Sequence, residues 1–421
     1  MQSEARSLYE INEHRGQNAT QSSTKRRSFE RDRMKVIVVH REARHRYAIP
    51  LFLNQHQCLE AFYTDLCFPG YFGKLISHRR SCQALPLAFL KNSPYLFLKT
   101  KWLSRCEPSR SFEIREKLFS EKLFQWGIRD ASMIYATYQE GLPFLHYAKS
   151  KGLKIVVEVN AEPNLFHIRQ AEQSCFPDWE DPLPEDFIKL VDQKTKETIE
   201  LADALFCPSE AVKTGLINLA GYDLPKAKIV SYGCLPIKKT KNQAVYGRVL
   251  FVGIACLGKG IHYYARAAAL LSKKYPYIPW DFRVAGLVSE RVRLHPETKK
   301  LNFLGKLSHE RVFREMSQAD VFVLPTLSES VPTVLFEALA LGLPIVITPC
   351  AHAPVEHGRE GLIVPERRSD FLAENIYEIV RDRRLRKFMA QEAALTSMQY
   401  MPAKWSQWLV QALGEVFRDT P

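Results

Sequence analysis

The chain has 421 residues, more than one hydrophobic core usually supports, and its 46% hydrophobic and 25% charged content is that of a folded globular protein. No apolar run approaches the roughly eighteen residues of a membrane-spanning helix, no basic-then-apolar leader opens the sequence, and nine cysteines without a CxxC pair argue against a disulfide scaffold, so a cytoplasmic protein is expected. The formal charge of +13 asks for an acidic partner, a demand that nucleic acid, anionic lipid and a sugar nucleotide would all meet.

Residues 1–34 are rich in Ser, Gln, Asn, Arg and Glu without apolar period, which predicts a disordered tail. A buried strand follows at Lys35-Val-Ile-Val-Val, and the loop REARHRY after it sets Arg41, Arg44 and Arg46 at the carboxyl end of that strand. In an open parallel sheet that edge is where ligands bind, although a merely solvated loop explains the cations as well. From Gly73 to Arg105, Leu, Phe, Tyr and Trp alternate with Lys and Arg. Such a mixture suits an anionic membrane surface, and it also suits core packing, with Pro86 and Pro94 breaking any long helix.

Strand and helix then alternate: SMIYAT, a helix over 142–151, LKIVVEV, a polar helix over 185–201, ALFCPS and a helix ending at Ala220. Asn160 and His167 follow the second of these strands and are read as part of a polar loop. The charged run LPIKKTKNQAVYGR, residues 235–248, is the expected linker between two domains. After it come a strand to Val252, a turn at Gly253 and a helix opening at Gly260, so Lys259 stands just ahead of a helix amino terminus, where an ammonium can neutralise a diphosphate. DFRVAG and LNFLGKL supply two further strands, the second ending around Gly305.

The stretch from Ala319 to Pro349 predicts strand, helix, strand. Ser328, Glu329 and Ser330 offer capping oxygens, Pro332 suits the first helical position, and Gly342 with Pro344 ends the helix. Its mouth, Ser330 to Val334 with Thr333 between, presents N–H groups and the positive end of the macrodipole, a ready place for phosphate. Behind it VLFEALAL is apolar on every side except at Glu337, as in a helix covered on both faces. A carboxylate there either binds a partner such as a ribose diol or reaches solvent at the helix rim, and the spacing leaves both open. GLIVP, two helices and the amphipathic PAKWSQWLVQALGEVF close the chain.

The segment ESVPTVLFE, with Glu329 and Glu337 in its acidic places and EALALGLPIVIT around and after it, resembles the Glu-x7-Glu signature of family 4 (group 1) retaining glycosyltransferases of the GT-B fold. VLFVGIACLGKG is similar to that family's Gly-Arg-x4-Lys-Gly segment, keeping Gly253, Lys259 and Gly260 but holding Ile254 where the family has Arg. The run from Glu200 to Gly233 is similar to the end of the family's first domain, and residues 357–393 are similar to its closing segment.

The resemblance implies an α/β chain of two Rossmann-like doubly wound domains facing a central cleft. Residues 35–236 would form the acceptor domain, 237–247 the linker, 248–400 the nucleotide-sugar donor domain, and 401–421 a helix crossing back to the first domain. It further implies a metal-independent, retaining transfer from a UDP- or GDP-type sugar to a glycan or lipid-linked acceptor in cell-surface polysaccharide or glycolipid synthesis. Glu329 and Lys259 would be catalytic, and Gly253, Gly305, Ser330, Thr333, Val334 and Glu337 would complete the nucleotide-sugar site. Arg44, Arg46 and Asn160 would stand on the acceptor side, where the family's glycine-rich turn is missing. No cofactor and no metal is expected: no Asp-x-Asp pair occurs, and Cys350, His352 and His357 lack metal-type spacing. An anionic membrane at the inner face is a further expected partner. Nucleic acid is not, since the cations are dispersed and no nucleic-acid-binding signature is present. Ile254 and the altered first-domain loop keep a second possibility open, a catalytically silent sugar-nucleotide binder.

Overall fold

The chain is described by a computed structural model covering residues 34–69, 81–82, 85–103, 107–234 and 243–419. The expected tail up to residue 33, residues 237–242 of the expected linker and residues 73–80 of the cationic aromatic run lie outside the described residues. Met34, assigned to the tail from sequence, is instead buried beside the first strand.

The first half winds through β1 (Val36–Val39), α1 (Ala48–Gln55), β2 (Leu59–Thr64), the two-residue pair β3 (Phe68–Pro69) and β4 (Ser81–Cys82), β5 (Leu90–Asn92), α2 (Pro94–Leu103) and α3 (Pro108–Trp126). It continues with β6 (Met133–Thr137), α4 (Leu142–Ser150), β7 (Lys154–Glu158), α5 (Leu165–Cys175), α6 (Glu185–Leu201), β8 (Ala204–Cys207), α7 (Glu210–Ala220) and β9 (Ala227–Ile229). Seven strands form a parallel sheet in the order β5-β2-β1-β6-β7-β8-β9. The strands are short apolar runs buried on both faces, VIVV in β1 and ALFC in β8, as a sheet covered by helices on both sides requires.

The second half holds β10 (Arg248–Val252), α8 (Ile261–Lys274), β11 (Asp281–Ala285), α9 (Glu290–Leu294), β12 (Leu301–Gly305), α10 (His309–Gln318) and β13 (Val321–Leu324). α11 (Thr333–Ala340), β14 (Ile345–Ile347), β15 (Gly361–Ile363), α12 (Ser369–Arg381), α13 (Arg383–Ser397) and α14 (Pro402–Arg418) complete it. Its six strands are parallel in the order β12-β11-β10-β13-β14-β15. In both sheets the winding reverses beside the first strand, between β1 and β6 and between β10 and β13, which opens a crevice at the strands' carboxyl ends. The fold is therefore the doubly wound α/β pair expected of GT-B.

Two features tie the halves together. α14 returns to the first half: Trp405, Leu409, Val410 and Leu413 join the core of β1 and α1, and Ser406 Oγ lies 3.0 Å from His56 Nε2. Residues 165–181, within the stretch that sequence assigns to the first domain, form α5 and an arm that packs on the second half. Trp179 is part of that half's core and stacks on His295 with ring centroids 3.9 Å apart. Buried Glu172 on α5 accepts from His262 Nε2 at 2.9 Å, Tyr263 Oη at 2.5 Å and Arg367 Nε at 3.0 Å. His167, placed in a loop by sequence, is on α5 and pairs with Asp192 at 2.9 Å.

Candidate functional site

Most of the residues expected on the donor side follow β10 and β13, the strands that flank the crevice of the second half. β10 runs into Gly253, whose N–H donates to Ala285 O at 3.0 Å. A side chain on Gly286, the residue after β11, would overlap Gly253 O at 1.7 Å, so the two strand ends meet backbone against backbone. The chain then makes one tight turn, Leu257–Lys259, and reaches Gly260 at φ +71° before α8 begins. A Cβ on Gly260 would sit 1.9 Å from Pro325 O. Glycine there lets the Lys259 turn press against the loop after β13, where Leu327 N and Thr326 Oγ1 donate to Gly258 O at 2.9 and 3.1 Å. As a result Lys259 Nζ donates directly to Glu329 Oε1, with only 22% and 16% of the two side chains exposed.

α11 starts at Thr333, one residue later than its sequence suggests. Pro332 takes the N-cap position and no side chain caps the helix. Ser328 Oγ is instead directed to Glu162 Oε2 at 3.2 Å, and Ser330 is buried with its carbonyl accepting from Ser209 Oγ at 2.9 Å. Both Ser328 and Ser330 therefore bind first-half residues rather than the helix mouth, while Thr333 faces solvent and Val334 is half-buried. The physical reason is that the loop is the contact between halves, so its polar groups are recruited laterally.

Past the mouth, Leu335, Ala338 and Leu339 pack into the second half's core, whereas Phe336 and Ala340 pack into the first half's. Glu337 occupies the strip between these faces, 19% exposed, and it is not solvated at a rim. His309 Nε2, at the start of α10, lies 2.8 Å from its Oε1, and Arg46 Nη2 of the first half lies 3.6 Å from the same oxygen. Gly305, four residues before His309, has φ +69° and open space where a side chain would be.

Across the crevice, the loop after β1 is not a solvated basic loop. Arg41 pairs with Glu140 at 3.1 Å. With its amide oxygen turned toward the loop, Asn160 accepts from both terminal nitrogens of Arg44. His45 Nε2 donates to Glu158 Oε1 at 2.7 Å, and Tyr232 and Tyr135 donate to the two oxygens of Glu158 at 2.8 and 2.9 Å. Burial pushes the Glu158 carboxyl upward in pKa, but His45, His40 and Arg44 together hold it well below the usual carboxylate range. His40, fully buried, is lowered to about 3 by that burial, with Arg44 and His45 adding to the effect against the pull of Glu158, so it is neutral.

The structure thus pairs Lys259 with Glu329 ahead of α11 and Arg46 with Glu337 within it. Sequence reading missed His309, Glu158, His45 and Glu162. Each has a partner far along the chain, so no local pattern marks the contact. Among the described residues, no group of three or more His, Cys, Asp or Glu side chains is arranged to hold a metal ion. Cys350 donates to Glu366 at 3.0 Å, and His357 Nδ1 accepts from Ile363 N at 3.0 Å.

Residues 247–382 match the profile of the family described as Glycosyl transferases group 1. An uncharacterized glycosyltransferase of Haemophilus influenzae is 27% identical over 186 residues, 42% of this chain and 48% of that protein. The N,N'-diacetylbacillosaminyl-diphospho-undecaprenol alpha-1,3-N-acetylgalactosaminyltransferase of Campylobacter jejuni is 26% identical over 160 residues, 36% of this chain and 40% of that protein. The matched region thus spans about half or less of the length of these relatives. Among solved structures, Anabaena Alr3699/HepE in complex with UDP and glucose superposes with a TM-score of 0.60 at 15% identity, covering 91% of this chain and 100% of that one. The chain has the GT-B fold, and residues 247–382 of its second half are similar to the group 1 glycosyltransferases.

Proposed function

We propose that this protein is a retaining glycosyltransferase that moves a sugar from a UDP- or GDP-type donor to a glycan or lipid-linked acceptor in cell-surface polysaccharide or glycolipid synthesis. The observation that carries the reading is the α11 mouth, with the Lys259–Glu329 pair in front of it and half-buried Glu337 roughly 5 Å behind it along the helix. In this reading the helix N–H groups and Lys259 neutralise the charge that builds on the leaving diphosphate, which is the part of the reaction where fixed donors act most strongly. Glu337 accepts from the ribose hydroxyls. Glu329, released by Lys259 when the diphosphate arrives, turns to the donor sugar's hydroxyls. Gly253 and Gly305 offer bare backbone for the sugar and the base. The charge neutralisation is assigned to these groups, so activity is expected to survive chelation of divalent ions.

Arg44, held by Asn160, and the buried Glu158 cluster would form the acceptor wall. The named acceptor of the Campylobacter relative, on diphospho-undecaprenol, supports a lipid-linked one here. Exposed apolar side chains support a surface for approaching a bilayer. Leu87, Tyr95, Leu98 and Trp102 are each more than 60% exposed, and the last three share a face of α2 at spacings of three and four residues. From Leu66 to Cys106 the sequence contains no Asp or Glu. Exposed apolar side chains among lysines suit an anionic membrane surface, which would place the enzyme peripherally at the inner face of a membrane. No helix among the described residues is long and apolar enough to cross a membrane.

The direct test is a thermal-shift screen with UDP, GDP, ADP and their sugars, repeated with Glu337→Ala. Selective stabilisation by one nucleotide, lost in the variant, is expected; an unchanged shift removes Glu337 from the site. Ile254, uncharged and 57% exposed, favours the second reading of a silent binder. That protein would be stabilised by nucleotide yet would neither hydrolyse nor transfer from any donor.

A further inference from the structure

The position after Gly253, where a cation is expected to meet the diphosphate, is Ile254, and its side chain stands in solvent. A guanidinium of the first half reaches Glu337 on α11. Arg46 Nη2 is 3.6 Å from Glu337 Oε1, and Arg46 Cζ is 6.0 Å from the centroid of the Phe313 ring on α10.

The backbone that delivers it is unusual. His45, Arg46 and Tyr47 have φ of 45°, 49° and 63°, three consecutive non-glycine residues in the left-handed region. Each such residue is disfavoured, and the conformation survives only where surroundings over-determine it. They do so on both flanks. His45 is fastened to buried Glu158, and buried Tyr47 donates to Leu66 O at 2.6 Å. Between these two anchors Arg46 projects into the contact between halves with 35% of its side chain exposed. Strained segments of this kind collect at ligand clamps.

Glu337 lies one helical turn behind the α11 mouth, so a guanidinium resting on it is within a side-chain rotation of a phosphate at that mouth. Its five donors suit a carboxylate and a phosphate equally. We propose that Arg46 is a nucleotide-binding residue that supplies, from across the crevice, the second cation of the diphosphate subsite in place of Ile254. In this structure it rests on Glu337. When a nucleoside diphosphate enters, the ribose hydroxyls take the Glu337 carboxylate and Arg46 passes to the phosphate oxygens. This rests on the reading of Glu337 and the helix mouth given above.

The experiment is calorimetric titration of the full chain with UDP, GDP and ADP, and with the corresponding nucleosides, for the wild type, Arg46→Ala, Arg46→Lys, Ile254→Arg and the Arg46→Ala/Ile254→Arg double variant. For the diphosphate that binds, Arg46→Ala is expected to weaken affinity about 10- to 100-fold, as loss of a charge-assisted contact does. Arg46→Lys should fall between, nucleoside affinity should stay within about threefold, and Ile254→Arg should restore part of the loss in the double variant. Unchanged or tighter diphosphate binding by Arg46→Ala would show that Arg46 only latches Glu337 and would overturn the proposal, as would equal losses for nucleoside and diphosphate or no recovery in the double variant. Circular dichroism of each variant reports folding, and Arg46→Lys keeps the charge if Arg46→Ala does not fold. Failure of the underlying reading shows elsewhere, in a wild-type chain that binds no diphosphate or a Glu337→Ala chain that binds it undiminished, and that outcome takes this proposal with it.

Discussion

Gly260→Ala tests how the Lys259 turn is held. A Cβ at this position would stand 1.9 Å from Pro325 O, against an ordinary contact of 3.4 Å or more, so the turn and the loop after β13 must separate by about 1.5 Å. That separation stretches the bonds from Leu327 N and Thr326 Oγ1 to Gly258 O, each contributing about 1 kcal/mol. The left-handed φ of +71° adds about 1 kcal/mol more for a residue with a side chain. The expected loss is therefore about 3 kcal/mol. Gly221→Ala is the control: its φ is +78°, but nothing lies within 4 Å of the added carbon, so only the conformational cost of about 1 kcal/mol applies. Urea midpoints at pH 7 measure both. The same variant should weaken nucleotide stabilisation, because Lys259 and Glu329 ride on the two loops that are pushed apart. Equal midpoints for Gly260→Ala and Gly221→Ala would refute the close approach of the loops and with it the account of how Lys259 is positioned.

Acid should destabilise the first half through His40. Its pKa is lowered from 6.5 to about 3 by burial, so between those values the unfolded chain binds the extra proton, and stability present above pH 6.5 is lost as pH falls. From pH 7 to 5 the loss is about 2 kcal/mol by urea denaturation, and His40→Leu should remove most of that pH difference. Glu158, held below its ordinary value, adds its own loss only at lower pH, as the solution falls through the carboxylate range. Trp179→Ala should cost about 3–5 kcal/mol as a core truncation and should act on the second half, whose core it completes. If only the first half loses stability, the arm does not bridge. For the membrane surface, sedimentation with vesicles containing phosphatidylglycerol should carry the protein down, and Leu98→Glu with Trp102→Glu should abolish this without altering nucleotide stabilisation. Equal sedimentation of wild type and variant would dispose of that surface.

The second half was legible from sequence because its information is local. β-branched runs mark β10, β13 and β14, Gly260 and Gly342 punctuate the helices, and an apolar helix interrupted once, at Glu337, announces that it is covered on two sides. The first half was less so. β2, α2 and α3 were not recognised, and α5 was taken for loop, because its polar sequence makes sense only against the second half's surface. What only the tertiary structure decided is which groups face one another across the crevice. Arg46 and Glu337 are 291 positions apart, and His45 and Glu158 are 113 apart. Backbone propensity and hydrophobic period act over a few residues, and they set the elements. An ion pair between two sheets depends on how those sheets pack, which no spacing along the chain encodes.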